Sequence, residues 1–114
     1  MIHELFQAID RKDAKEFSTF LSPDCVFIFG NLPEVTGSEN ITEFVEEFFR
    51  SIDGLSHTIS EYWTIPEGLV CHGLVTYTRN DSSKLTVPFA NIFKVDSHGI
   101  KEYLIFTDTS DLYN

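Results

Sequence analysis

Four side chains between residues 57 and 108 are suited to acid–base or hydrogen-bonding chemistry, namely those of His57, His72, Asn91 and Asp108. Asn91 stands out because it is the single polar member of an alternating set along one predicted strand, Leu85, Val87, Phe89, Asn91, Phe93 and Val95. A carboxamide on such a face can orient a ligand carbonyl, or it can be a core asparagine satisfied by backbone or water. The sequence leaves both interpretations open.

Asp108 is a candidate general base. By alternation it shares one side of a strand with Leu104 and Phe106, and burial on an apolar side would raise the pKa of its carboxyl group. The alternative is a strand-end aspartate whose oxygens accept backbone N–H bonds in the following turn. His57 and His72 lie on adjacent predicted strands, and each is either a base near neutral pH or a hydrogen-bonded structural histidine. We expect Asn91 and Asp108 to face a common cavity, with one of the histidines within reach of one of them.

Aromatic residues are predicted to line a ligand pocket around Asn91. The candidates are Phe29, Trp63, Phe89, Phe93 and Phe106. Because 11 of the 114 residues are phenylalanine, such rings could instead fill the space between helices and sheet. A cavity of ~300 Å³ or more with convergent polar groups would favour ligand binding, and a filled core would favour an interaction module.

Composition and charge reduce the number of possible classes. The 114 residues, 42% of them hydrophobic, predict one globular domain, and the net charge of −10 disfavours nucleic acid and anionic membranes as partners. The chain shows no apolar run of the ~20 residues that a membrane span requires, and no secretory signal pattern. With only Cys25 and Cys71 we expect a cytoplasmic protein without a disulfide framework. Metal-ligand spacings and nucleotide- or phosphate-binding motifs do not occur, so we expect neither metal nor cofactor.

The elements that must position these side chains are helices in the first half of the chain and strands in the second. Apolar spacing predicts helices near 2–9, 13–21 and 41–52, the second opened by a capping box of Asp13 and Glu16. A short strand is predicted at 25–29, a loop at 30–38, and strands near 56–65, 68–79, 84–95 and 100–108. Short turns make the last four strands an antiparallel meander. The order predicts an α+β fold with the helices on one face of a curved antiparallel sheet.

Three stretches share their order and spacing with a known superfamily. They are residues 9–17 (IDRKDAKEF) leading into 21–26 (LSPDCV), residues 37–41 (GSENI), and residues 87–93 (VPFANIF) followed by 103–112 (YLIFTDTSDL). Together they resemble the nuclear-transport-factor-2-like superfamily, specifically its SnoaL-like and ketosteroid-isomerase-like members. The resemblance covers nearly the whole chain, 1–114, as one domain. It implies a cystatin-like, cone-shaped roll with a pocket between the sheet and the three helices, and usually a homodimer through the outer sheet face.

The resemblance also implies that most catalytic residues of those members are missing. The general-base aspartate of ketosteroid isomerases corresponds to Phe29, their oxyanion-hole tyrosine to Leu5, and their second oxyanion donor to Asn91. Of the Asp-Arg-Asp set of limonene-epoxide-hydrolase-like members only Asp108 remains, with Leu74 at the arginine position. We therefore expect no ketosteroid isomerase activity, since a positioned general base is worth ~10²–10⁴-fold in rate.

Two functional hypotheses follow. The first is a small-molecule-binding SnoaL-like domain of unknown substrate, with cyclase-, isomerase- or hydrolase-type activity on an apolar oxygenated ligand. Its catalytic candidates are Asp108, His72 and His57, and Asn91 would bind the ligand. The alternative is a non-catalytic dimeric interaction or scaffold module whose pocket is filled by its own side chains. Both hypotheses include a homodimer, and neither includes nucleic acid or membrane partners.

Overall fold

The first two helices begin within one residue of the predicted start, and the third begins three residues before the predicted residue 41. In the computed structural model, which describes residues 1–113, α1 spans Ile2–Asp10, α2 spans Ala14–Ser18 and α3 spans Ser38–Arg50. Each helix turns its apolar stripe toward the sheet; the buried residues of α1 are Ile2, Leu5, Phe6, Ala8 and Ile9. The second helix is shorter than predicted, because the chain enters the sheet already at Leu21.

Six strands form one curved, open sheet in the order β2-β1-β6-β5-β4-β3. The strands are β1 (Leu21–Phe29), β2 (Val35–Thr36), β3 (Gly54–Ile65), β4 (Gly68–Thr78), β5 (Lys84–Asp96) and β6 (Gly99–Thr107). The predicted antiparallel meander is confirmed for β3 to β6, and β1 lies parallel to β6. Strand β2 falls within the loop predicted at 30–38, where it pairs with β1. The predicted α+β fold with helices on one face of a curved sheet is confirmed.

A bulge in β3 changes which residues share a face. Ile59 lies opposite Gly73 and Glu61 lies opposite His72, so Ser60 is an extra residue without a partner on β4. His57 therefore faces the helices. Glu61 and Trp63, which is two residues further along the strand, face outward. Strict alternation would have placed all of them on one face, and nothing in the local sequence marks the bulge.

The inward face of β6 is the one opposite to our prediction. Tyr103 and Ile105 pair with the inward-facing Phe93 and Asn91 of β5, so they point toward the helices. Phe106 pairs with Ala90, points outward and is 55% exposed. Both faces of this strand are apolar, so alternation within β6 could not choose between them; the register with β5 decides. The prediction of Phe106 as a ligand-binding residue is therefore wrong.

The predicted capping box of α2 forms only in one direction. The Asp13 carboxylate accepts a hydrogen bond from the Glu16 backbone N–H at 3.0 Å, but the Asp13 backbone N–H donates to the Ala8 carbonyl instead. The tight α1–α2 turn takes that donor, so Glu16 has no N-cap N–H to bind. Within residues 1–113 no helix is both long and apolar enough to cross a membrane. The cytoplasmic location stays a prediction.

Candidate functional site

A small cavity lies between the helices and the inner face of the sheet. Its volume is about 50 Å³, enough for a few water-sized molecules. Phenylalanine is the most frequent residue in its walls, and Phe29 and Phe89 line it as predicted. Phe93 does not: it is fully buried but packs against Tyr103, with ring centroids 4.6 Å apart, outside the cavity wall. The polar residues in the walls are His57, Tyr77, Asn91 and Tyr103.

Asn91 faces this cavity, as the alternation of β5 predicts. Its side chain is almost fully buried, and its Oδ1 has no hydrogen-bond partner among the described residues. A buried acceptor without a partner costs roughly 1–3 kcal/mol of stability. Phe89, two residues away on the same face, is apolar and cannot satisfy it. The carboxamide oxygen is therefore an unused hydrogen-bond acceptor at the wall of a largely apolar cavity.

His57 lines the same cavity and is held by Asp10. The Nδ1 of His57 lies 2.6 Å from Oδ1 of Asp10, and the backbone N–H of His57 donates to Oδ2 of the same carboxylate at 3.0 Å. The ring packs against Phe6 and Phe89, with centroid distances of 4.7 and 5.1 Å. Because a carboxylate only accepts hydrogen bonds, Nδ1 carries the proton and Nε2 is the free ring nitrogen. The partner of His57 is thus Asp10, and not Asn91 or Asp108 as we expected.

Sequence reasoning missed Asp10 because 47 residues separate it from His57. A weak signal was present. Asp10 is the last residue of α1, where the helix dipole disfavours a negative charge. An acid at that position is most easily explained by a partner outside the helix.

Two tyrosines add hydroxyl groups to the cavity wall. Tyr77 on β4 and Tyr103 on β6 are both buried, and burial raises the pKa of each hydroxyl well above its ordinary value. Both phenols therefore stay protonated at neutral pH and keep an O–H group that can donate a hydrogen bond.

Asp108 lies outside the cavity, which corrects our expectation. Its side chain is exposed just after β6, and Oδ1 accepts a hydrogen bond from the Ser110 backbone N–H at 2.9 Å. This bond lowers the pKa of the carboxyl group, the opposite of the shift that a general base near neutral pH requires. The strand-end interpretation of Asp108 is therefore the one that the structure supports.

His72 and Trp63 are also outside the cavity, on the outer face of the sheet. Their rings stack with centroids 5.7 Å apart and an interplanar angle of 17°, and Nε2 of His72 lies 3.4 Å from a carboxylate oxygen of Glu61. Trp63 is 50% exposed. The bulge at Ser60 explains why Trp63 lies on the outer face and not on the same face as His57.

Leu74, which corresponds to the arginine of the epoxide-hydrolase-like set, also lies outside the cavity wall. Leu74 faces outward and is 48% exposed, whereas the inward-facing residues of this part of β4 are Val75 and Tyr77. Neither inward residue is charged, so the cavity wall holds no equivalent of the arginine there. Among residues 1–113 no group of three or more His, Cys, Asp or Glu side chains is arranged to hold a metal ion.

The curved sheet covered by helices, with an apolar cavity between them, is the arrangement of the nuclear-transport-factor-2-like cone fold. The model of the SnoaL-like domain matches residues 2–103, so the chain belongs to the SnoaL-like domain family. It is 28% identical over 114 residues to the sordarin/hypoxysordarin biosynthesis cluster protein G of Sordaria araneosa, a match covering 94% of this chain and 77% of that protein.

Solved structures share the fold at low sequence identity. A hypothetical protein with a ketosteroid isomerase-like fold from Catenulispora acidiphila, crystallised in complex with trimethylamine, superposes with a TM-score of 0.84 at 13% identity, covering 92% of this chain and 82% of that one. A putative SnoaL-like polyketide cyclase from Shewanella denitrificans superposes with a TM-score of 0.82 at 14% identity, covering 97% and 90%. At these identities the likeness shows the fold alone.

Proposed function

We propose that this SnoaL-like domain binds a small apolar ligand carrying at least one hydroxyl group, and that it is an enzyme of cyclase, isomerase or hydrolase type. The observation that carries the proposal is the buried Oδ1 of Asn91 without a partner at the cavity wall. A ligand hydroxyl would donate to this oxygen and recover the free energy that the empty protein lacks. In a wall of low dielectric constant such a hydrogen bond is stronger than in water.

The cavity must expand to admit such a ligand. Its volume of about 50 Å³ is well below the ~300 Å³ typical of small-molecule sites. Phe44 and Phe48 of α3 are half-buried, and they line both the cavity and a surface groove that also contains Leu32 and Tyr113. Rotation of these two rings would join the groove to the cavity, so we place the entry there.

The scaffold alternative is less well supported. Phenylalanine rings do fill most of the space between sheet and helices, as that alternative requires. However, a self-filled core has no use for an unpaired carboxamide oxygen, and a protein with the same fold is named as a putative polyketide cyclase. The family and its members therefore favour a ligand-binding function.

The proposed assembly is a homodimer through the outer sheet face. Large apolar side chains stand exposed on that face, with Trp63, Leu74 and Phe106 between 48% and 55% exposed. Large apolar side chains exposed on one sheet face favour an interaction site there, and a second copy related by a two-fold axis is the commonest occupant.

The ligand proposal is tested with 2-naphthol and naphthalene, a pair of flat apolar probes that differ by one hydroxyl. Fluorescence titration gives the affinity of each probe for wild type and for Asn91→Leu. The same two proteins are also titrated with Phe48→Ala added, which opens the proposed entry. We expect proteins with Asn91 to prefer 2-naphthol by about tenfold, the equivalent of one hydrogen bond, and Asn91→Leu to lose the preference. Equal preference in both, or no binding even with Phe48→Ala, would overturn the proposal.

A further inference from the structure

We infer that His57 is the general base of the cavity and that Asp10 is its positioning residue. The inference rests on the proposed function and deepens it, because it assigns the reacting atom and limits the shape of the substrate. The reaction class is proton abstraction from a carbon next to a ligand carbonyl, or from a ligand hydroxyl.

The first argument is the way Asp10 holds His57. Both carboxylate oxygens are used on this one residue, Oδ1 on the ring Nδ1 at 2.6 Å and Oδ2 on the backbone N–H at 3.0 Å. The contact to the backbone N–H fixes the position of the His57 main chain. The contact to Nδ1 fixes the rotation of the imidazole ring and its tautomer. The result is an imidazole whose Nε2 has a defined position. Asp10 would also stabilise the imidazolium that forms when Nε2 takes a proton.

The second argument is the environment of the ring. The side chain of His57 is 11% exposed and packs between Phe6 and Phe89, and His57 forms part of the cavity wall. With Nδ1 occupied on the Asp10 side, Nε2 is the nitrogen left to meet a ligand. An apolar wall excludes bulk water, so water does not compete with the ligand for the proton-accepting nitrogen.

The sheet register sets the size of the substrate. His57 pairs with Val75, Val75 pairs with Val87, and Asn91 is four residues further along β5. Two strand spacings and four residues separate the Cα atoms of His57 and Asn91 by roughly 15 Å. Both side chains turn inward, toward the same cavity. A ligand that donates to Asn91 and gives a proton to His57 must therefore reach between side chains whose Cα atoms lie this far apart.

The proton transfer needs no co-reactant. Nε2 of His57 takes a proton from a carbon adjacent to a ligand carbonyl, and the C–H electron pair moves through the carbonyl group to leave an enolate oxygen. Tyr77 on β4, which pairs with Leu55 on β3, lines the same cavity. Its phenol O–H can donate to that oxygen. Where a C=C bond adjoins the abstracted carbon, the imidazolium returns the proton to the far end of the resulting dienolate, which moves the double bond and completes an isomerisation. In a ligand with a second carbonyl group, the enolate carbon bonds to that carbonyl carbon instead, the C=O π pair moves to its oxygen, and this oxygen takes the proton from His57 to complete a ring closure.

The competing explanation is that the pair only fastens α1 to β3. The test therefore uses 5-nitrobenzisoxazole, a flat two-ring carbon acid. Removal of its C3 proton by a base breaks the ring N–O bond and releases a coloured cyanophenolate. Wild type, His57→Gln, Asp10→Asn and the exposed control His98→Gln are compared, each with and without Phe48→Ala. Thermal melts of every variant confirm folding.

We expect His57→Gln to lower the rate by about 10²-fold, Asp10→Asn by about tenfold, and His98→Gln to leave it unchanged. A structural role alone would leave the rates of folded Asp10→Asn and wild type equal. As a second measurement, ¹⁵N NMR of the imidazole should show Nδ1–H in wild type and a shift toward Nε2–H in Asp10→Asn. Equal rates for wild type and His57→Gln in both backgrounds would overturn the inference. The proposed function would still stand if Asn91 discriminates 2-naphthol from naphthalene.

Discussion

At the residue scale, two buried polar side chains on the same sheet face differ in their hydrogen bonding. The imidazole of His57 has a carboxylate partner, whereas Oδ1 of Asn91 has none. A polar group that is buried and unpaired lowers stability, so its presence in the cavity wall is more easily explained by a ligand than by folding.

Replacing Asn91 by Leu should leave the free energy of unfolding unchanged or raise it by about 1 kcal/mol. The reason is that the substitution removes an unsatisfied buried acceptor and replaces it by an apolar group of similar size. Urea unfolding followed by circular dichroism gives the value. A loss of several kcal/mol would instead mean that the carboxamide braces the core.

The buried thiols should make the protein less stable in alkali. Burial raises the pKa of Cys25 to about 12 and of Cys71 to about 11, above the ordinary thiol value near 9. A group whose pKa is higher in the folded state contributes fully below its unfolded pKa and loses that contribution as pH rises through the folded value. The free energy of unfolding should therefore fall between pH 9 and about 12, and Tyr77 and Tyr103 add to the fall above pH 10.

Urea midpoints at pH 8, 9.5 and 10.5 measure this dependence. The double variant Cys25→Ala/Cys71→Ala is the control, because its free energy of unfolding should fall less steeply over the same range. Parallel slopes for the two proteins would show that the thiols do not ionise on unfolding as argued.

At the element scale, the helices are connected to one another by a lysine as well as by apolar packing. Lys12, in the turn between α1 and α2, has a left-handed backbone with φ of +57°. Its Nζ donates to the carbonyls of Phe49 and Ile52 at 3.2 and 3.0 Å, at the C-terminal end of α3. The positive charge also complements the negative end of the α3 dipole. One side chain thus joins the α1–α2 turn, next to Asp10, to the end of the third helix.

Replacing Lys12 by Met should lower the free energy of unfolding by about 1–3 kcal/mol. Met keeps most of the aliphatic stem but leaves two helix-end carbonyls without their charged donor. The matched control is Lys15→Met, since Lys15 is exposed and forms none of these bonds; its effect should be within about 0.5 kcal/mol. Chemical denaturation of both variants decides, and equal effects would contradict the assigned role.

At the scale of the whole molecule, the helices cover one face of the sheet and leave Trp63, Leu74 and Phe106 exposed on the other. Wild type should therefore sediment as a dimer of twice 13.1 kDa. Phe106→Glu places a charge in the outer face and should give the monomer. Tyr62→Glu is the control, because Tyr62 is similarly exposed, at 51%, but pairs with the inward-facing Cys71 and so lies on the other face. A monomeric wild type at micromolar concentration would refute the dimer.

The sequence by itself determined the parts of the molecule that depend on local periodicity. The apolar stripes predicted α1 and α3, the short turns predicted the β3–β6 meander, and the lone polar residue in β5 placed Asn91 on the inner face. These features are readable because a helix or a strand with one buried face must repeat its apolar residues with its own period. The family resemblance added the cone-shaped arrangement, and the family match confirms it.

Only the tertiary structure decided which other side chains reach the cavity. The bulge at Ser60 reversed the face of Trp63, and pairing with β5 turned Phe106 outward, because in a strand a shift of one residue exchanges the two faces. The pairing of Asp10 with His57 depends on how α1 packs on β3, which no local pattern encodes. The size of the cavity likewise depends on how the phenylalanine rings pack together in three dimensions, because composition supplies the rings but not the gaps between them.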